Sequence, residues 1–87
     1  MNKIDLTREV RMILQRRTIS SEEKAFLFGL FKHHPEWGWY EERKPKDIYT
    51  DKADHGTTCF YIQFEDGSHS SISYIKCIKN INPNINK

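Results

Sequence analysis

The chain has 87 residues, of which 37% are hydrophobic, 13% aromatic and 30% charged, and its formal net charge is +2. This composition is typical of one small folded domain and excludes a disordered chain. No apolar run reaches the roughly 20 residues of a membrane-spanning helix, and no apolar stretch of a secretory signal follows the charged N-terminus. We therefore expect an intracellular, cytoplasmic protein with no membrane partner.

Two helices are predicted first along the chain. Residues 5–17 repeat apolar side chains with helical spacing, and Asp5 is the expected N-cap. The second helix begins at Ser20, which stands in capping-box register with Glu23, and it ends near His33 because a proline follows. Its apolar side is expected to carry Phe26, Leu27, Leu30, Phe31 and His34.

The segment from Trp37 to Gly56 is expected to be a polar connection with one short strand at residues 46–52, and a β-hairpin follows. The hairpin residues expected to face the core all have even numbers, namely Phe60, Ile62, Phe64, Ile72 and Tyr74. Even positions oppose even positions only across a loop with an odd number of residues. We therefore predict a three-residue loop at Asp66-Gly67, with Gly67 in the left-handed conformation.

Together these elements predict an α+β domain over residues 1–78. Two N-terminal helices pack on one face of a small antiparallel sheet of about three strands. Residues 79–87 are rich in asparagine and are expected to form a flexible tail.

Basic residues concentrate at the two ends of the chain. Residues 1–17 have more bases than acids, and no acid follows Asp66. If the two ends fold together, they form a basic face. Its candidate members are Lys3, Arg8, Arg11, Arg16, Arg17, Lys76, Lys79 and Lys87.

The histidines and cysteines form no recognisable catalytic or metal-binding pattern. His33 and His34 are adjacent, whereas helical metal ligands need a spacing of three or four residues. We interpret both as helix-end residues whose positive rings complement the helix dipole. Cys59 and Cys77 are expected to be unreactive thiols within strands. We expect no enzyme activity, no metal and no cofactor.

An aromatic and basic segment follows the second helix and is the candidate binding site. Flat rings stack on unpaired bases, and neighbouring cations bind phosphates. We expect exposed stacking rings at Trp39 and Tyr40, with phosphate contacts from Arg43, Lys44, Lys46 and Lys76. Trp37 is an additional candidate, with a lid on the core as its alternative role. Phe28 lies off the apolar side of its helix and is a candidate anchor for a protein partner.

Several short motifs occur in a fixed order over about residues 8–78. They are a helix followed by His34-Pro35, then Cys59-Phe60, Asp66-Gly67 and Ser73-Tyr74-Ile75-Lys76-Cys77. In order and spacing they resemble the DCL (defective chloroplasts and leaves) family, whereas the segment after Pro35 and residues 71–72 depart from its pattern. The resemblance implies a small domain without a catalytic centre that acts near RNA or the transcription machinery. The run HHPEW also resembles the active-site motif of pterin carbinolamine dehydratases, but over five residues only, and we interpret this as coincidence.

We therefore expect a non-enzymatic, nucleic-acid-associated accessory module that contacts single-stranded RNA or a nucleic-acid-processing complex. The alternative is a protein–protein interaction module, a small regulator or inhibitor that docks on a larger complex through apolar anchors. A monomer or a weak dimer is expected in both cases.

Overall fold

A computed structural model describes residues 3–16, 18–53 and 56–81. It confirms the α+β class, with helices packed on one face of a three-stranded antiparallel sheet of order β1-β2-β3. The elements in chain order are α1 (Lys3–Arg16), α2 (Ser21–Phe31), α3 (Trp37–Glu42), β1 (Pro45–Lys52), β2 (Thr58–Phe64), β3 (His69–Ile72) and α4 (Tyr74–Lys79). Within these described ranges, every helix is too short or too polar to cross a bilayer.

The first two helices begin close to their predicted positions. The capping box of α2 is confirmed, because the Glu23 amide donates to Ser20 Oγ (3.1 Å) and the Ser20 amide donates to Glu23 Oε1 (3.0 Å). Arg16 at the end of α1 forms an ion pair with the same glutamate. Asp5 is not the N-cap of α1, since the helix already begins at Lys3 and places this acid in its first turn. Arg17 lies outside the described residues.

The hairpin has the predicted parity. Phe60 pairs with Ile72, and the Phe64 amide donates to the Ser68 carbonyl (2.8 Å), which leaves a loop of three residues between Phe64 and Ser68. Gly67 in this loop has φ +90°, a conformation that costs a residue with a Cβ atom free energy. The same parity places Phe60, Ile62, Phe64 and Ile72 in the core.

One continuous core joins the sheet to the helices. Its members come from every helix and every strand named above. Because helices this short are marginally stable in isolation, this shared packing stabilises them. The fully buried large side chains are Val10, Leu27, Phe31, Ile48, Phe60, Ile62, Phe64 and Cys77.

The prediction that a strand continues through Tyr74 and Cys77 is wrong. The strand β3 ends at Ile72, and the hydroxyl of Ser73 accepts the Lys76 amide as the N-cap of α4. The chain turns into a helix here because a cap is available and because helical spacing turns both Cys77 and Ile78 into the core. The Tyr74 ring contacts the Phe60 ring edge-on at 5.9 Å.

The ordered domain also extends past the predicted boundary at residue 78. The helix α4 includes Lys79, and Asn80 Nδ2 donates to the His33 carbonyl at the end of α2 (2.7 Å). Ile81 packs against the core. Residues 79–81 of the predicted flexible tail thus contact the domain, and the remainder of that tail lies outside the described residues.

Candidate nucleic-acid interface

The predicted polar connection contains a helix, α3, which is held by aromatic packing. Its N-cap Glu36 makes no side-chain capping bond. Tyr40 anchors the helix instead, since its hydroxyl donates to the Ser71 carbonyl on β3 (2.8 Å). The Tyr40 ring stacks on Trp37 (5.9 Å, 17°) and meets His34 edge-on (5.3 Å).

Tyr40 is therefore a core residue, and the prediction that it stacks on a base at the surface is wrong. Only 7% of its surface is exposed, and burial raises the pKa of its phenol, with the Glu36 carboxylate adding to the effect. The protonated hydroxyl is thus available as a donor to β3. Two neighbouring residues of a helix point about 100° apart, so Tyr40 enters the core while Trp39 points away from it.

Trp39 is exposed, as predicted, and its ring packs against two neighbouring rings. Its surface is 47% exposed, and its ring meets the Tyr40 ring (4.9 Å, 86°) and the Phe64 ring (6.2 Å, 85°) at right angles. The Arg43 guanidinium carbon lies 4.3 Å from the centroid of the indole, which is cation–π geometry. Among the predicted site residues, the structure thus brings Trp39 into contact with both Tyr40 and Arg43.

The predicted lysines are all exposed, but on three different elements of structure. Lys44 follows α3 with φ +60°, and its carbonyl accepts the Glu65 amide (3.0 Å) beside the hairpin loop. Lys46 lies at the irregular start of β1, where the register with β2 shifts. We call Trp39, Arg43, Lys44 and Lys46 the α3 surface. Lys76 is on α4, where its charge acts on His34.

Two further aromatic candidates belong to the core boundary. Trp37 and Phe28 are both half-buried and pack against the core cluster. For Trp37 this supports the alternative role as a lid. For Phe28 it contradicts the expected exposure, and the exposed phenylalanine of α2 is Phe26 instead.

His34 does not have the positive ring that we expected at the end of the helix. His34 is buried, and its Nδ1 accepts the Glu36 amide (3.0 Å), so this nitrogen carries no proton. Burial lowers the pKa of His34, the Lys76 charge lowers it further, and the Glu36 carboxylate opposes both. The neutral ring fills space between α2 and α3, whereas the neighbouring His33 is exposed.

The two cysteines are free thiols. Burial raises the pKa of Cys77 to about 12, and its Sγ donates to the Ser73 carbonyl (3.2 Å), while Cys59 is half-buried in β2. In the part of the chain that the structure describes, no three histidine, cysteine or acidic side chains come together as a metal site.

A second aromatic surface was missed by the sequence analysis. On the sheet face away from the helices, Tyr49 pairs with Tyr61 across the strands, and their rings stack at 5.5 Å and 13°. The His69 ring lies 5.6 Å from Tyr61 and 6.1 Å from Tyr49. We call these three residues the open-face cluster. Aromatic residues at odd positions of two predicted strands were the signal that could have revealed it.

The charges beside the open-face cluster are less favourable for a phosphate backbone than those of the α3 surface. Asp47 and Asp51 flank Tyr49 on β1. Asp47 is bound to Lys24 of α2 (2.8 Å), and this bond lowers the pKa of its carboxyl. We therefore regard the α3 surface as the stronger candidate.

Comparisons with known proteins identify a family without assigning an activity. The family model DUF3223, described as a protein of unknown function, matches residues 11–78. The solution NMR structure of an uncharacterized protein from Rhodospirillum rubrum is similar, with 30% identity, a TM-score of 0.72, and coverage of 87% of this chain and 77% of that one. None of the curated proteins matches significantly. The assignment to the DCL family is therefore wrong, because the matching family model is DUF3223.

Proposed function

Since this chain belongs to the DUF3223 family of unknown function, we propose a function from its own surface: a non-enzymatic module that binds single-stranded RNA through the α3 surface. An exposed ring with a guanidinium in cation–π contact, next to two lysines, is the combination that binds unpaired bases and their phosphates.

The observation that carries the proposal is the geometry of Trp39. The indole is about half exposed, yet ring contacts with Tyr40 and Phe64 fix its position. A ring held in place in the free protein loses little side-chain entropy when it binds. The Arg43 guanidinium carbon lies 4.3 Å from the centroid of the indole, so a base that stacks on the exposed part of the ring has a cation beside it.

The lysines add phosphate contacts, but the surrounding acids limit the affinity. Lys44 and Lys46 follow Arg43 within three residues, whereas Glu41 and Glu42 lie on α3 itself. The net positive field is therefore small. We expect weak binding that falls as salt rises, because each neutralised phosphate releases a counterion.

A cytoplasmic location is part of this proposal. Free thiols persist in reducing compartments, and both cysteines of this chain are unpaired. RNA is present in the cytoplasm and is therefore available there as a partner.

The first test is the fluorescence of Trp39 during titration with a short oligouridine. The chain has two tryptophans, so a Trp37→Phe background makes Trp39 the sole reporter. The proposal predicts saturable quenching at about 50 mM salt that weakens clearly at about 200 mM. Unchanged fluorescence at both salt concentrations would contradict it.

Matched variants then locate the contact. Trp39→Ala, measured by fluorescence anisotropy of labelled oligouridine, should weaken binding by about 1–3 kcal/mol, the value of one stacked base. Arg43→Gln should weaken it and reduce the salt dependence. Tyr61→Ala is the control, since it removes a ring of comparable size from the open-face cluster. Loss of binding in this control, with Trp39→Ala unaffected, would transfer the site to the open sheet face.

A further inference from the structure

A groove between α1 and α4 is a second surface, separate from the α3 surface. It has a volume of about 570 Å³ and its lining is mainly apolar. Ile4 is 71% exposed and Ile75 is 45% exposed, whereas Ile78 is buried at its base. Much of the surface of these two isoleucines is not buried within the domain, so the groove offers apolar area to a ligand.

The rim of this groove is basic. Its lining residues are Lys3, Ile4, Thr7, Arg8, Arg11, Ile75, Ile78 and Lys79, and these described residues include no acid. Three cations of α1 thus meet Lys79 from the other end of the chain, because α4 packs against α1. An apolar floor between four cations favours a ligand that is apolar on one side and anionic on the other.

We propose that this groove binds an acidic amphipathic helix of a partner protein. Along α1 the lining extends from Lys3 to Arg11, which at a rise of about 1.5 Å per residue is more than two helical turns. A partner helix of about three turns would place apolar side chains at positions i, i+3, i+4 and i+7 on the isoleucines. Its carboxylates would then reach the lysines and arginines of the rim. This role is independent of RNA binding at the α3 surface.

The chemistry of the groove separates this partner from other occupants. Among the residues that the structure describes, none that lines the groove has an aromatic ring on which a base could stack, which disfavours single-stranded nucleic acid. A second copy bound through the same face would oppose four cations with four cations. The chain's own residues 82–87, NPNINK, contain no acid to complement the rim.

The test is an NMR titration of the full chain, labelled with ¹⁵N, with a designed peptide of about 14 residues. The peptide has leucines on one helical face and glutamates elsewhere. A scrambled peptide of the same composition, without an amphipathic face, is the control. We expect saturable shifts of backbone amides confined to α1 and α4, weakened by salt, and no saturation with the scrambled peptide.

Variants at exposed positions keep the fold and change only the groove. Ile4→Ser combined with Ile75→Ser, and separately Arg8→Glu combined with Arg11→Glu, should each weaken peptide binding by about tenfold or more. Met12→Ser is the matched control, because Met12 is an exposed apolar residue of α1 (60%) that does not line the groove. Trp39→Ala should leave peptide binding unchanged. Circular dichroism verifies that every variant is folded.

Three outcomes would overturn the proposal. The first is the absence of shifts in α1 and α4 at millimolar peptide. The second is equal binding of the scrambled peptide, which would mean charge attraction without a shaped site. The third is that oligouridine, or vesicles of phosphatidylglycerol and phosphatidylcholine, shift the groove amides while the amphipathic peptide does not.

Discussion

Tyr40→Phe tests whether Tyr40 ties α3 to the sheet. The substitution keeps the ring and its contacts with Trp37 and Trp39 but removes the hydroxyl that donates to the Ser71 carbonyl (2.8 Å). A hydrogen bond of this kind contributes a net stability of about 0.5–1.5 kcal/mol. With an unfolding entropy of about 2.1 cal/mol/K per residue, 87 residues give about 0.18 kcal/mol/K, so the Tm should fall by about 3–8 °C.

The assay is thermal unfolding followed by circular dichroism, with Tyr61→Phe as the control. Tyr61 lies on the open sheet face, where water can replace a lost hydroxyl contact. The Tm of Tyr61→Phe should therefore differ little from that of the unmodified protein. Oligouridine affinity should be unchanged in Tyr40→Phe, because the ring that supports Trp39 is retained. Tyr40→Ala, which also removes the ring, should lower the free energy of unfolding by about 3–5 kcal/mol. The role of Tyr40 is refuted if Tyr40→Phe leaves the Tm unchanged and Tyr40→Ala lowers that free energy by less than about 1 kcal/mol.

Three further predictions concern the loop, the histidine and the thiols. Gly67→Ala places a Cβ at φ +90° and should lower the free energy of unfolding, measured in urea, by about 1–2 kcal/mol. Gly29→Ala on the exposed side of α2 should raise it by about 0.5–1 kcal/mol. Equal effects of the two substitutions would contradict this prediction. Because burial lowers the pKa of His34, the unfolded chain takes up a proton first, so stability should fall as pH drops below about 6.5. His34→Asn, which keeps a hydrogen-bond acceptor, should flatten the dependence of Tm on pH; an unchanged slope would assign it to another group. Ellman's reagent should modify Cys59 in the native protein but Cys77 only after denaturation, and rapid reaction of both would contradict the burial of Cys77.

Much of the fold is encoded in short-range patterns that can be counted along the sequence. The alternation in β2 identifies its buried face, and parity then requires the three-residue loop and a glycine at φ +90°. The capping box at Ser20 marks the start of α2 because two reciprocal hydrogen bonds depend only on residues three apart. These features need no knowledge of distant elements, and the structure confirms them.

Tertiary contacts decided the roles of the aromatic residues and the end of the sheet. Trp39 and Tyr40 are adjacent and chemically similar, and contacts with other elements determine which ring is buried, among them the bond from Tyr40 to the Ser71 carbonyl 31 residues away. At Ser73 the sequence permits either a continued strand or a helix cap, and room in the core for Cys77 and Ile78 selects the helix.

The basic groove is the clearest case of this division. The sequence by itself determined that the cations lie at both ends of the chain and that residues near Leu6 and Val10 form an amphipathic helix. It did not determine that α4 would be a helix, because its six residues are too few to show a periodicity. Only packing of α4 on α1 brings Lys79 to the side of α1 that carries Lys3 and Arg11, and so creates an apolar surface with a cationic rim.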